Sequence, residues 1–277
     1  MSVSILILTL NEEVNLPGCL QSVKWADEVV VFDSYSTDST VEIAQNFGAK
    51  VVQREFDNYS AHRNYAIKNI PFKNKWIFSL DADERITTEL KDEIITISQS
   101  KSEYSAFRLR YKNMFLGKWI KRSSFYPTWL IRFFQPEKTQ YEDRVVNAHP
   151  IVDGRVGELQ HHFEHYSFNK GFKSWFKKHN RYSTMEAHEY IKQLNNGEFK
   201  FSEIFSSDPI IKRRAQKNLL IRMPFRPLIK FSYMYFIRLG ILDGKPGFFY
   251  CVLQSFYEFM ISMKTKEIRR REKGLSV

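Results

Sequence analysis

The chain has 277 residues, a formal charge of +11, 43% hydrophobic residues and 16% aromatics, a composition that supports a packed core and excludes disorder as the dominant state. The charge is local: residues 1–150 hold 19 basic and 19 acidic side chains, 151–207 hold 8 and 7, and 208–277 hold 15 and 5. A neutral body therefore carries a basic C-terminal end, and something acidic is expected to meet that end.

Taken in chain order, Val3 to Leu8 is a short, β-branched apolar run that reads as a buried strand, followed by the polar segment Thr9-Leu10-Asn11-Glu12 and a helix to about Val23. The unit repeats with a strand over Glu28 to Phe32, a loop from Asp33 to Asp38, a helix from Ser39 to Phe47 closed by Gly48, and a strand over Lys50 to Gln53. A helix over Tyr59 to Asn69 and a strand over Lys75 to Leu80, ending at Asp81-Ala82-Asp83, complete the pattern. Alternating strands and helices imply an α/β fold with a mostly parallel, Rossmann-like sheet and helices on both faces. From Ser105 the sequence turns β-rich and aromatic, with strands expected over Ala106 to Tyr111 and Trp129 to Phe134. A helix over Phe168 to Leu194 follows, whose Phe172, Trp175, Phe176, His179 and Tyr182 read as a packing stripe. The N-terminus has no signal-peptide pattern, and no stretch is apolar for the length a simple spanning helix requires. Cys19 and Cys251 have no ligand-like spacing, so neither a disulfide framework nor a zinc site is expected.

Ligands of open α/β sheets gather at the carboxyl ends of the strands. Thr9 to Glu12, Asp33 to Asp38 and Asp81 to Asp83 each follow an expected strand, so the three polar clusters should converge on one edge. Asp81 and Asp83, two residues apart at a strand end, can share a hard cation such as Mg²⁺ or Mn²⁺, whose shell is completed by water and substrate phosphates. The bland alternative is that one of them caps the next helix, a task open to Thr87 or Thr88 as well. The Asp33-Ser34-x-Ser36-x-Asp38 loop offers acceptors and hydroxyls suited to a base and ribose, or a plain helix cap. Neither G-x-G-x-x-G after the first strand nor a P-loop is present, which disfavours nicotinamide dehydrogenases and P-loop ATPases. A diphosphate would instead be neutralised by a metal and by a base such as Arg63.

These residues carry a resemblance. Ser4-Ile-Leu-Ile-Leu-Thr-Leu-Asn-Glu, Val29-Val-Val-Phe-Asp-Ser-Tyr-Ser-Thr-Asp-Ser-Thr, Ala61-His-Arg-Asn and Leu80-Asp-Ala-Asp-Glu resemble, in order, the motifs of family 2 glycosyltransferases with the GT-A fold. Val152-Asp-Gly-Arg-Val-Gly-Glu-Leu, His179-Asn-Arg-Tyr-Ser and Arg226-Pro through Leu242-Asp-Gly-Lys-Pro-Gly are similar to the bacterial branch that builds lipopolysaccharide core and surface polysaccharides. The resemblance implies that Thr9, Asn11, Glu12, Asp33, Ser34, Asp38 and Arg63 hold the nucleotide of a sugar donor, expected to be UDP-linked. It places Asp81 and Asp83 beside the sugar and diphosphate, with Asp83 the preferred metal ligand.

An inverting transfer needs a base for the acceptor hydroxyl. That branch shows a Val-Asn-Glu-His or Val-His-Glu segment whose Glu is the implied base, where this chain reads Val146-Asn147-Ala148-His149. Alanine cannot take a proton. Either Ala148 is an inactivating replacement of Glu, or Glu142-Asp143 supplies the base through Asp143. His149 and His165 are further site candidates, with a structural role as the alternative for each.

The expected organisation is a GT-A domain over 1–207 and a basic, aromatic, amphipathic helical region over 208–277. In the latter, Lys212, Arg213, Arg214, Lys217, Arg222, Arg226 and Lys230 lie among apolar residues around Pro224 and Pro227, suiting helices in a headgroup layer. From Gly247 to Met263, Cys251, Ser255, Glu258 and Ser262 form a narrow polar stripe that would face protein or water while Phe248, Phe249, Phe256 and Phe259 entered lipid. The leading expectation is a metal-dependent, inverting glycosyltransferase, peripheral on the inner face of a bacterial plasma membrane and acting on a lipid-linked or lipopolysaccharide glycan. The alternatives are a sugar nucleotidyltransferase and a catalytically silent basic module. No nucleic-acid partner is expected, because the sequence signatures of such binders are missing.

Overall fold

The computed structural model of the protein describes residues 3–143, 149–196, 219 and 222–277. They group into two compact units, one of residues 1–119 and 126–169 and the other of residues 120–125 and 170–277. A first domain over 1–207 would include the long helix after Gly171; the structure groups that helix with the C-terminal helices. The expected boundary at 207/208 lies outside the described residues.

The first unit is built on one sheet. Strands β1 (Val3–Thr9), β2 (Glu28–Asp33), β3 (Lys50–Gln53) and β4 (Trp76–Asp81) pair in parallel in the order β3-β2-β1-β4. Their connections carry helices α1 (Leu16–Val23), α2 (Thr40–Asn46) and α3 (Tyr59–Asn69). Register matches Thr9 with Asp33 and Leu8 with Asp81, so the strand ends that carry the three polar clusters lie side by side. Beyond β4 the sheet becomes mixed. A short β5 (Glu84–Ile86) and helix α4 (Thr88–Gln99) precede the long β6 (Tyr104–Phe115), its hairpin partner β7 (Lys118–Trp119) and β8 (Trp129–Phe134). The small pair β9 (Thr139–Tyr141) and β10 (Pro150–Val152) leads to β11 (Arg155–His165), and the full order is β3-β2-β1-β4-β8-β6-β11-β5. Strand β8 runs antiparallel to both β4 and β6, whereas β6 and β11 are parallel.

Successive side chains of a strand point to opposite faces, and β1 shows both faces covered. Val3, Ile5 and Ile7 pack with Leu16, Cys19 and Leu20 of α1, Ala44 of α2 and Leu90 and Ile94 of α4. Leu6 packs on the other side with Ala66 and Ile67 of α3 and with Phe32, Ile77 and Phe134. Each such fully buried aliphatic or Phe side chain contributes about 1.5–3 kcal/mol. The helices start where the sequence offers caps: the Asn58 side chain accepts from the Ala61 amide, and Thr87 accepts from the Leu90 amide.

The second unit is helical. Its elements are α5 (Gly171–Asn196), α6 (Arg226–Ser232), a π-helical turn over Tyr233–Ile237, a 3-10 turn over Gly240–Asp243, and α7 (Gly244–Glu272). Arg226 pairs with Glu258, and Ser255 donates to the Pro227 carbonyl at 2.6 Å, so the polar stripe of α7 faces its own chain as the sequence reading expects. The Lys264 ammonium donates to Asn180 Oδ1, Ser183 Oγ and Thr184 Oγ1 at 2.7–2.8 Å, tying α7 to α5. The Leu242-Asp-Gly-Lys-Pro-Gly segment has a mechanical explanation. The Asp243 carboxylate accepts from the Arg122 amide, the Ser123 amide and the Ser123 hydroxyl at 2.9, 2.8 and 2.6 Å. At Gly247, a Cβ would overlap the Gly240 carbonyl oxygen, so only glycine lets α7 approach that turn. The stripe on α5 is only partly packing: Trp175 is buried and stacks on His179 at 3.8 Å, whereas Phe172 and Phe176 are exposed.

Candidate active site

Two loops at the carboxyl ends of β1 and β2 lock into each other. The buried Asp33 carboxylate accepts from the Thr9 hydroxyl at 2.8 Å, the Ser36 amide at 2.8 Å, the Ser36 hydroxyl and the Gln53 amide side chain at 3.1 Å. Asn11 adopts a left-handed conformation (φ 54°), which asparagine tolerates well. Its amide donates to the Ser36 hydroxyl at 2.7 Å and its side-chain oxygen accepts from the Thr37 amide at 2.8 Å. The Glu12 amide donates to Thr40 Oγ1 at 2.7 Å, and its carboxylate accepts from Asn15 Nδ2 at 2.8 Å. Asp38 accepts from the Thr40 amide at 3.0 Å and the Glu13 amide at 3.2 Å. Thr9, Asn11, Glu12, Asp33 and Asp38 are thus brought to one place, and each also braces its neighbours.

Below this pair of loops, Ser34 Oγ lies 3.2 Å from His62 Nε2, and His62 Nδ1 lies 3.2 Å from Arg54 Nη1. The imidazole stacks on Phe32, with ring centroids 4.2 Å apart. Burial, reinforced by the positive charge of Arg54, lowers the His62 pKa to about 4, so the ring is neutral near pH 7.

The second half of the site is an ion cluster at the end of β4. Asp81 accepts from Arg63 at 3.0 Å through one oxygen and from Arg132 at 2.7 Å through the other. The same Arg132 nitrogen reaches Glu84 Oε1 at 2.6 Å, while Glu84 Oε2 accepts from the Asp81 amide at 2.9 Å. Burial alone would raise the Asp81 pKa, but the charges of Arg132 and Arg63 outweigh it and hold the carboxyl well below its ordinary range. Glu84 is pushed up by burial, against the pull of Arg132. Asp83 turns elsewhere, to His165 Nε2 at 3.2 Å. Burial disfavours the imidazolium, but the charge and hydrogen bond of Asp83 outweigh that and raise the His165 pKa.

The expectation that Asp81 and Asp83 share a cation therefore meets a different arrangement. Both oxygens of Asp81 are already engaged by guanidinium groups. Asp83 and His165 stand together as one carboxylate oxygen and one imidazole nitrogen, both part-exposed. Among the described residues there is no group of three or more His, Cys, Asp or Glu side chains placed to hold a metal. Glu142 accepts from the His149 amide at 2.9 Å, whereas Asp143 is exposed. Ala148 lies outside the described residues. Arg132, Glu84 and His62 join the candidate site in the structure without being singled out by the sequence. A lone arginine in the apolar strand Trp129-Leu-Ile-Arg-Phe-Phe is the signal that could have found Arg132, since a charge in such a run needs a buried partner.

The sequence model of glycosyl transferase family 2 matches residues 4–152, more than half of the chain. The chain belongs to glycosyl transferase family 2. Its mixed sheet, with the parallel β3-β2-β1-β4 half leading into strands joined antiparallel, is the GT-A arrangement implied by the family motifs. Relatives of similar length include an uncharacterized glycosyltransferase of Rickettsia typhi, 27% identical over 285 residues, covering 99% of this chain and 89% of that protein. Another is the lipopolysaccharide core biosynthesis glycosyltransferase LpsC of Rhizobium meliloti, 22% identical over 275 residues, covering 95% of this chain and 92% of that protein. Among solved structures, the mannosyltransferase PcManGT from Pyrobaculum calidifontis with GDP-Man and Mn²⁺ matches with a TM-score of 0.49 at 13% identity, covering 95% of this chain and 86% of that one. S. aureus TarS in complex with UDP-GlcNAc matches with a TM-score of 0.44 at 15% identity, covering 99% and 93%.

Two predictions test the site. Replacing Arg132 by Met leaves the buried Glu84 carboxyl without its guanidinium, while Asp81 keeps Arg63 alone, and is expected to cost about 3–5 kcal/mol in urea unfolding. Adding Glu84→Gln to it should recover part of that loss, and no recovery would contradict the shared ion cluster. For His62, the unfolded chain takes up a proton near pH 6.5 and the folded chain only near 4. The unfolded state thus binds more protons in that window, and stability should fall as pH falls through it, by roughly 2–4 kcal/mol from this group. His62→Phe, which keeps the stack on Phe32, should flatten that part of the stability–pH curve; a curve as steep as the wild type's would refute the assignment.

Proposed function

We propose that the protein is an inverting glycosyltransferase that moves a sugar from a nucleoside-diphosphate donor, UDP-linked in the first instance, to a lipid-linked or lipopolysaccharide-type glycan at the inner face of a bacterial membrane. The observation that carries the donor reading is the convergence of Asp33, Thr9 and Asp81 at the ends of the adjacent strands β2, β1 and β4, with Asp83 two residues beyond Asp81, where open α/β sheets take their ligands. The acceptor reading is supported by the similarity to LpsC.

In this reading Asp33, fixed by four donors, and the Thr9–Glu12 and Ser34–Asp38 loops receive the nucleoside. Arg63 provides positive charge for the diphosphate from a position already set by Asp81. Arg132 holds Asp81 and Glu84 in place without facing solvent. An oxygen and a nitrogen donor side by side, at Asp83 and His165, fit a divalent cation such as Mn²⁺ that completes its shell with water and substrate phosphates. Such an ion would supply charge stabilisation for the departing diphosphate. The base falls to Asp143, which is exposed just after β9, or to a glutamate that Ala148 replaces.

Two measurements test this. UDP with Mn²⁺ is expected to raise the melting temperature, because a ligand that binds only the folded chain stabilises it, by about 2.7 kcal/mol at a hundredfold excess over Kd. Asp83→Ala should abolish the part of that shift that depends on Mn²⁺. If no nucleoside diphosphate shifts the transition with or without the metal, the donor reading fails. Separately, the Ala148→Glu variant is expected to raise donor turnover on the order of 10²-fold or more, the usual contribution of a positioned base. An unchanged rate would leave Asp143 as the base, and Asp143→Asn should then remove the activity.

A further inference from the structure

The helical unit carries a face that the transfer chemistry does not use. On α7, Phe248, Phe249, Val252, Phe256, Phe259 and Met263 are all exposed. At about 100° per residue they fall within a single arc of about 100°, and from first to last they span about 22 Å at 1.5 Å per residue. The buried positions of the same helix, Gly247, Cys251, Glu258, Ile261 and Thr265, occupy a separate arc on the far side. Glu258 is the one charged residue between Pro246 and Met263, and it is turned inward to Arg226. A helix of this length that faced water would carry charge along its outer side.

The turn that leads into α7 is exposed and apolar as well. Ile237 is 73% exposed and Leu242 60%, with Phe236, Leu239 and Ile241 exposed between and beside them. These side chains do not hang on a loose loop. The turn is pinned by the three hydrogen bonds to Asp243 and by the close packing of Gly247 on Gly240. Scattered exposed apolar residues are ordinary on protein surfaces, but a charge-free apolar arc along one helix is not.

Charge decides the occupant. Lys245 stands before the arc, and Lys266, Arg269, Arg270, Arg271 and Lys273 stand after it, in a segment from 208 to 277 that holds 15 basic and 5 acidic residues. A second copy of this chain would bring two such basic ends together, whereas an anionic bilayer surface complements them. Among the described residues no helix is long and apolar enough to cross a membrane, so α7 would lie along the surface.

We propose that this face is a monotopic membrane-docking surface for anionic phospholipid. Phe248, Phe249, Phe256 and Phe259, with Ile237 and Leu242 of the turn, enter the boundary between headgroups and acyl chains, and the flanking lysines and arginines meet the phosphates. The inference rests on the membrane-surface part of the function proposed above and gives it specific residues.

The test is flotation of the full-length protein with phosphatidylcholine vesicles with and without phosphatidylglycerol, alongside its UDP-dependent thermal shift without vesicles. The protein should float with the anionic vesicles, and Phe249→Glu/Phe256→Glu/Phe259→Glu should weaken that binding at least tenfold while leaving the UDP shift unchanged. Phe256→Trp provides an independent readout, since its fluorescence should be quenched by brominated lipid only when the face is inserted. Absence of flotation, a triple variant that binds as the wild type does, or an unquenched Trp at position 256 would each overturn the proposal. So would a wild-type dimer that the triple variant converts to monomer with no vesicle binding in either form. If UDP binds and vesicles do not, the docking face alone fails; if vesicles bind and UDP does not, the donor reading fails and the docking face stands.

Discussion

One buried guanidinium organises the centre of this protein. Arg132 arrives on β8, the strand that joins β4 antiparallel, and its Nη2 reaches both Asp81 and Glu84. Without that guanidinium, the part-exposed Asp81 would keep only Arg63, and the buried Glu84 beside it would be driven to its neutral form. With it, Asp81 stays charged, Glu84 closes back on the Asp81 amide, and the intervening turn presents Asp83 toward His165. The mixed half of the sheet is therefore part of the site: β8 brings the cation and β11 brings the histidine. The parallel half alone would offer that acidic strand end only Arg63 of α3.

The neighbouring loops are ordered by a related economy of polar groups. Asn11 and Asp38 each accept from backbone amides across the gap between the β1 and β2 ends, so each loop supplies the other's missing hydrogen bonds. Left-handed φ values at Asn11 and Tyr35 (54° and 57°) lie within these loops, and for Tyr35 that conformation is uncommon. Such backbone persists only where its surroundings over-determine it, which is consistent with a site assembled before its ligand arrives.

Most of the parallel half was legible in the sequence because its signals are local. Ile5 to Leu8 and Val29 to Phe32 are continuous apolar runs of the kind that strands covered on both faces show, and the polar residues after each one mark the ligand edge. The carboxyl-end rule then placed Asp33, Asp81 and Asp83 near one another without any coordinates. What local patterns could not convey was pairing across distance. Nothing near Asp81 announces that its partners are Arg63 and Arg132, eighteen and fifty-one residues away. For the same reason, the i, i+2 spacing of Asp81 and Asp83 pointed to a shared ligand, while the fold gives each carboxylate a different neighbour. The helix over Gly244 to Glu272 shows the opposite case: its polar stripe could be read by spacing alone, and the structure turns that stripe inward.

The path of the chain through residues 120–125 has a consequence for how the protein is made. The chain leaves the sheet unit after Trp119, contributes six residues to the helical unit and returns at Tyr126. Those six residues include the Arg122 and Ser123 amides and the Ser123 hydroxyl, whose acceptor is Asp243. During synthesis they must wait for well over a hundred further residues before that carboxylate exists. The N-terminal strands can pair as they emerge, but the excursion after β7 has only water for those donors until Asp243 has been made. A ribosome that stops short of Asp243 would thus release a chain with a ready sheet and an open seam.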